Sequence, residues 1–211
     1  MAMRIDILTT FPEMFAAEAP GALGLSIPAR ARAAGLVEWH ATNLRDYAEN
    51  KHRKTDDRPF GGGPGMVIMC QPLWDAVAAV EAADARPATR ILMTPQGRPL
   101  TQALVEELAG KERLLIIAGH YEGIDERVIE ALAPLEVSLG DYVISGGELG
   151  AMVLIDAVTR LLPGALGHEG SAAADSFGAH GPGGRRLLDC AHYTKPREWM
   201  GRGGPGGLLS G

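Results

Sequence analysis

Five consecutive apolar residues, Leu114 to Ala118, give the strand they form no face to turn toward water. Such a strand needs cover on both sides, which parallel sheets obtain from helices packed on both faces. The rest of the chain repeats that logic. Apolar runs at Arg4–Phe11, Leu36–Thr42, Met66–Met69, Thr89–Thr94 and Val137–Ser145 read as extended segments. Between them lie helix-like stretches, and in Gln71–Ala83 the positions Leu73, Ala76, Val77 and Val80 recur at helical spacing. Leu25–Gly35 and Leu100–Gly110 each read as a helix closed by glycine, the residue that readily takes the left-handed position after a helix end. Ile124–Ala133 and Glu148–Leu162 read as further helices. The pattern predicts an α/β fold, a mostly parallel sheet with helices on both faces, over residues 1–163. Beyond Pro163 the chain is rich in Gly and Ala and loses its periodicity, so residues 164–211 read as a flexible linker.

Several classes are disfavoured at once. A formal charge of −6 argues against gripping nucleic acid through bulk charge, although it leaves room for a local basic patch. The first strand carries Arg4 and Asp6, so it is no signal-peptide core, and no apolar run approaches a membrane span. Cys70 and Cys190 are far apart and read as two reduced, buried thiols of a cytoplasmic protein. The six histidines show no metal-ligand spacing. Gly201, Gly203 and Gly206 match a dinucleotide fingerprint formally, but the sequence places no strand before them and no helix after them.

Ligands of open α/β sheets sit beyond the carboxyl ends of the strands. Three glycine-bearing loops occupy such places: Thr94–Arg98, Gly119–Glu126 and Gly140–Glu148. Any one of them alone reads as an ordinary turn. Together they predict a pocket lined by backbone, and without a phosphate cradle it suits a neutral or zwitterionic nucleoside-like ligand. A fourth loop, Asp56–Met66, follows the basic run Asn50–Thr55. It reads either as a solvated turn region or as a loop that contacts an anionic polymer.

The motifs occur in a telling order: "RIDILTTFPEMF", "DDRPFGGGPGMV", "TPQGR", "GHYEGIDERV", "GDYVISGGEL", "LIDAVTRLLPGALG", "DSF" and "LLDCAHYTKP". From about Met3 to Pro196 the chain strongly resembles the bacterial tRNA (guanine-N1)-methyltransferases, a family of trefoil-knotted SPOUT methyltransferases that act on the guanosine just 3′ of the anticodon. The resemblance implies a deep knot at about residues 90–163, an exception to the rule that chains do not thread loops. It also implies S-adenosyl-L-methionine as methyl donor, tRNA as partner and a homodimer with shared active sites, working in the cytoplasm. By position, Met93, Thr94, Pro95, Gln96 and Gly97 match the family's donor contacts. So do Gly119, Tyr121 and Glu122, and the segment Leu139, Gly140, Asp141, Tyr142, Val143 and Ile144 with Gly146 and Gly147. Arg58, Gly62, Gly63 and Ser176 match its RNA contacts. The resemblance adds magnesium as a candidate ion, but no carboxylate cluster in the sequence specifies a site.

Guanine N1 carries a proton and is a poor nucleophile while neutral, so a base must remove that proton. The resemblance assigns the base to Asp175 and, to Arg160, stabilisation of the guanine anion. Taken alone, Asp175 reads as a cap or turn residue and Arg160 as half of a helix-surface pair with Asp156. The motifs in register reverse both readings. The alternatives are a knotted enzyme for another RNA and a non-catalytic donor- or RNA-binding relative; retention of Asp175 and Arg160 disfavours the second.

The chain departs from the family at four places. His120 replaces an arginine, Gly150 replaces a proline, and residues 178–186 are an insertion that lengthens the segment carrying Asp175. The family also continues beyond this chain's end into a basic helical domain that binds tRNA, absent here, so this form is expected to bind the donor yet act weakly on tRNA.

Overall fold

The computed structural model describes residues 2–16, 21–167 and 175–209. Two compact units divide the chain, Met1–Glu169 and Gly170–Gly211.

The first unit is built on a five-stranded sheet. In chain order its strands are β1 (Met3–Thr9), β2 (Val37–Asn43), β5 (Thr89–Pro99), β6 (Arg113–Ala118) and β8 (Leu135–Ser138), and in space they run β2-β1-β6-β5-β8. Every ladder is parallel. The all-apolar run lies at the centre, as its composition demands, with every residue of β6 buried. Its side chains alternate between two cores. Leu114, Ile116 and Ala118 join the core that packs α3 (Gln102–Ala109) and α5 (Gly147–Thr159) through Leu104, Leu108, Leu154 and Ile155. Leu115 and Ile117 join the core that packs α2 (Cys70–Ala82) and α4 (Glu126–Leu132) through Leu73, Val77, Val128 and Leu132. Helix α1 (Ser26–Ala33) covers the first of these faces through Ala31.

Gly35 closes α1 at φ +69, as its sequence predicts. Gly110 does not repeat that geometry: it stays right-handed at φ −80, and the left-handed helix end falls instead on Ala133 after α4. The expected loop Thr94–Arg98 belongs to β5, which pairs with β8 up to Met93, bulges, and pairs again from Arg98. Gly97 makes that bulge possible, because a Cβ there would collide with the backbone of Val137. Conversely, the extended run expected to Ser145 stops at Ser138. There the Ser138 hydroxyl accepts the Gly140 N–H at 3.1 Å and the chain turns through Gly140 at φ +149.

At the opposite end of the strands, Arg113 is wholly buried. It donates to Asp6 at 2.8 Å and to the carbonyls of Asp84 (2.8 Å), Glu81 and Arg86 (both 3.2 Å). The guanidinium thus ties β6 to β1 and to the exit of α2. Nearby, hydrogen bonds from Arg86 hold the Asp84 carboxyl well below the usual carboxylate range.

A second, smaller sheet matters for function. β3 (Asp56–Asp57) pairs antiparallel with β4 (Val67–Ile68), and β4 pairs parallel with β7 (Gly123–Ile124). Both cysteines are free, but Cys70 is only half-buried and Cys190 is exposed, against the expectation of two buried thiols. Among the described residues no helix is long and apolar enough to cross a membrane.

The second unit carries more local order than its composition suggested. β9 (Glu198–Trp199) pairs antiparallel with β10 (Arg202–Gly203), and a one-turn helix follows at Gly206–Leu209. The Gly201–Gly206 run therefore does have a short strand before it and a short helix after it, but in a two-stranded hairpin, without the parallel crossover a dinucleotide site needs.

Candidate functional site

Three chain segments, one at the bulge of β5 and one beyond the carboxyl end of each of β6 and β8, meet around a cavity of about 440 Å³. Met93, Thr94, Pro95 and Gln96 come from β5 and its bulge. Gly119, Tyr121 and Glu122 follow β6, and Leu139, Gly140, Tyr142, Val143, Ile144, Gly146 and Gly147 follow β8. Two residues of the predicted set, Gly97 and Asp141, lie outside the lining; Gly97 faces the Val137 backbone instead. The structure adds His120, Ile124, Glu126, Ile129, Ser138, Ser145 and Gly150, among others. His120, Ile124, Glu126 and Ser145 fall within the loops predicted to form the pocket, whereas Ile129, Ser138 and Gly150 lie outside them, where no local pattern signals their membership.

The glycine pair Gly146–Gly147 has a reason different from a tight turn. Gly146 is extended at φ −173, a conformation open to any residue. What excludes a side chain is proximity. A Cβ on Gly147 would sit 2.9 Å from the Ala118 Cα, and one on Gly146 would strike His120 and Glu148. The Gly147 N–H donates to the Gly119 carbonyl at 2.7 Å, and His120 bridges Gly146 in antiparallel fashion. Bare backbone lets the start of α5 lie directly on the end of β6.

Glu148, in the first turn of α5, is 3% exposed. It accepts a hydrogen bond from the Thr9 hydroxyl at 2.7 Å and faces the His120 Nδ1 at 3.4 Å. A carboxylate suits the positive end of a helix, and a buried one needs such partners. The His120 ring also packs on Phe11, with centroids 4.9 Å apart, and edge-on against Tyr121. Tyr121 itself holds φ +64, an unusual conformation for a bulky residue and a common mark of functional loops. Gly150 packs against Met93: a Cβ there would lie 3.0 Å from the Met93 Cε.

Asp125 caps α4 by accepting the Arg127 N–H, and the Arg127 guanidinium holds its carboxyl well below the usual range. Burial, then Asp125, pushes the Cys70 thiol upward.

Arg160 stands at the far end of α5, half-buried, with its N–H bonded to the Asp156 carbonyl at 3.1 Å. At 1.5 Å per residue it lies ~20 Å along the helix from Gly147. Arg58, Gly62 and Gly63 are exposed on the loop between β3 and β4. That loop is fastened to the cavity wall. Glu122 donates its N–H to the Met66 carbonyl at 3.0 Å, and a Cβ on Gly65 would run into the Glu122 side chain.

In the second unit, Asp175 accepts the Ser176 N–H at 3.0 Å, and the Ser176 hydroxyl accepts the Asp189 N–H at 3.1 Å. The insertion 178–186 folds as a closed loop. Phe177 and Leu187 are joined across its base, and His180 bridges Arg186. It therefore returns the chain close to where it left rather than extending the path past Asp175. The Asp189 carboxyl is held low, first by the Cys190 N–H.

Residues 3–211 match the family described as tRNA (Guanine-1)-methyltransferase TrmD. The chain belongs to that family. It is 54% identical over 209 residues to the tRNA (guanine-N(1)-)-methyltransferase of Pseudomonas fluorescens (strain SBW25), covering 99% of this chain and 80% of that protein. It is 53% identical over 208 residues to the enzyme of the same name from Halorhodospira halophila (strain DSM 244 / SL1), covering 99% of this chain and 75% of that one. Among solved structures, the tRNA (m1G37) methyltransferase from Aquifex aeolicus superposes with a TM-score of 0.80 at 36% identity, over 100% of this chain and 84% of that one. As a member of the tRNA (guanine-1)-methyltransferases, the chain is an enzyme of the methyl-transfer class.

Proposed function

We propose that this protein transfers a methyl group from S-adenosyl-L-methionine to N1 of the guanosine immediately 3′ of the tRNA anticodon, in the cytoplasm. The observation that carries the donor assignment is the chemistry of the cavity. Its size falls within the ~300–1,000 Å³ of small-molecule sites. Its described lining includes the carboxylates of Glu122 and Glu126 and neither Lys nor Arg. Such a lining repels phosphates and suits a ligand bearing an ammonium, a sulfonium and a single carboxylate. Bare backbone at Gly119, Gly140, Gly146 and Gly147 leaves room for a flat adenosine to lie on the main chain. When bound, the donor supplies an electrophilic methyl group.

The chain's own residues would manage the guanine. Asp175 takes the N1 proton, and Arg160 neutralises the charge that develops at O6. Because Arg160 lies ~20 Å along the helix from the cavity edge of its own chain, the reading requires Arg160 of the partner subunit to complete each site. An exposed apolar patch supports a homodimer: Val143 is 89% exposed, and Leu149 and Val153 lie one turn apart on the outer face of α5. Membership of the family supports reading about residues 90–163 as the trefoil knot. Magnesium finds no group of three or more His, Cys, Asp or Glu donors among the described residues, and the proposed steps do not involve it.

Single-turnover methylation of an unmodified tRNA transcript tests the mechanism. Asp175→Ala and Arg160→Ala should each lower the rate of transfer at least a hundredfold, while S-adenosyl-homocysteine binds as to the wild type. Unchanged transfer by Asp175→Ala would assign the base elsewhere.

A further inference from the structure

Phe60 is 94% exposed, the most exposed of the large apolar side chains among the described residues. A stranded phenyl ring on a soluble surface calls for an occupant. Phe60 is held out deliberately. The Gly62 N–H donates to the Pro59 carbonyl at 3.3 Å, closing a turn with Phe60 at its second position and Gly61 at its third. Gly61 has φ +84, the conformation that a type II turn reserves for glycine. Gly62, Gly63 and Gly65 also hold positive φ, and between Phe60 and Met66 the loop carries a single side chain, the short ring of Pro64, to fold toward the phenyl group.

Two observations identify the occupant. The chain leading to the ring carries exposed cations: Lys51, Lys54 and Arg58 all face solvent within nine positions of Phe60, whereas Arg53 is paired with Asp46. An aromatic face beside cations is what an unpaired nucleobase on a phosphate backbone recognises, by stacking plus charge. The loop is also anchored at the donor cavity, through Met66 and Gly65 against Glu122. Gly65 follows Phe60 by five positions, so the Phe60 Cα lies at most ~18 Å from that anchor, a span of a few nucleotides.

We propose that Phe60 is the stacking platform for an unpaired base next to the target guanosine. The inference rests on the tRNA reading above and gives a role to a residue outside the RNA contacts Arg58, Gly62, Gly63 and Ser176.

Steady-state methylation of the unmodified transcript by the full chain is the test, with S-adenosyl-homocysteine calorimetry, thermal melts and sedimentation in parallel. Phe60→Ala should raise KM for tRNA about tenfold or more. Donor affinity, melting temperature and sedimentation should stay as in the wild type. Phe60→Trp should restore KM, and Phe60→Leu, apolar but not planar, should not. A wild-type KM in Phe60→Ala, full rescue by leucine, or loss of the dimer in Phe60→Ala would each overturn the stacking role while leaving the tRNA reading intact. If the wild type fails to methylate the transcript at all, the tRNA reading falls and the stacking role with it.

Discussion

Arg113 illustrates how a charge becomes structural. Its guanidinium is surrounded by the Asp6 carboxylate and carbonyls at the exit of α2, and its side chain has no solvent exposure. Removing the anion would leave an uncompensated buried cation, at a cost of ~3–5 kcal/mol. Asp6→Asn should lower the urea-unfolding free energy by that amount without changing the residues of the cavity; a loss under 1 kcal/mol would mean that the carbonyls alone hold Arg113. Gly147 makes the complementary case, in which a missing side chain matters. Gly147→Ala places a methyl 2.9 Å from the Ala118 Cα, so β6 and α5 must separate. Calorimetry should then show S-adenosyl-homocysteine affinity reduced at least tenfold, about 1.4 kcal/mol, and equal binding would move the donor site elsewhere. The sequence marked both glycines, yet pointed to a turn. Their real constraint is a neighbour more than twenty residues away, and local propensity carries no record of such a neighbour. Phe60 carries no such mark for the opposite reason: in sequence, a phenyl ring stranded in solvent reads the same as one packed in a core.

At the scale of elements, strand and helix identities were legible because the apolar periods of 2 and 3.6 differ so plainly. Pairing order was not, since β8 reaches its place beside β5 by passing over the sheet, and the bulge that keeps Thr94–Gly97 within β5 is set by contact with Val137. The joints between elements also carry the response to acid. Glu81 at the end of α2 accepts two hydrogen bonds from Arg90 on β5, at 2.7 and 2.8 Å. That contact, foremost, lowers the Glu81 pKa from its ordinary 4.5. A lowered carboxyl contributes stability that is complete above its unfolded value and is lost as pH falls through the folded one. Melting temperatures measured from pH 6 down to pH 3 should therefore fall more steeply for the wild type than for Glu81→Gln below about pH 4.5. Parallel curves would show that the pair is too solvated to matter.

The whole molecule is where the sequence says least, because the surfaces through which a second copy would be met follow no periodicity. The length of α5 nonetheless dictates an outcome. With the cavity at one end of the helix and Arg160 at the other, mixed dimers of Gly147→Ala and Arg160→Ala subunits should regain activity that neither homodimer has, because one of the two sites is then intact. No recovery would place Arg160 in the site of its own chain. Val153→Glu, which puts a charge on the exposed face of α5, should sediment as a monomer and lose turnover. The short strand β4 has a further consequence. The loop that bears Phe60 and the Glu122 wall of the cavity hang from the same ladder, so in the proposed reading RNA and methyl donor would act on a common piece of backbone. Thermodynamic reciprocity then binds the two ligands to each other: by whatever factor bound tRNA changes the affinity for the donor, the donor must change the affinity for tRNA by the same factor.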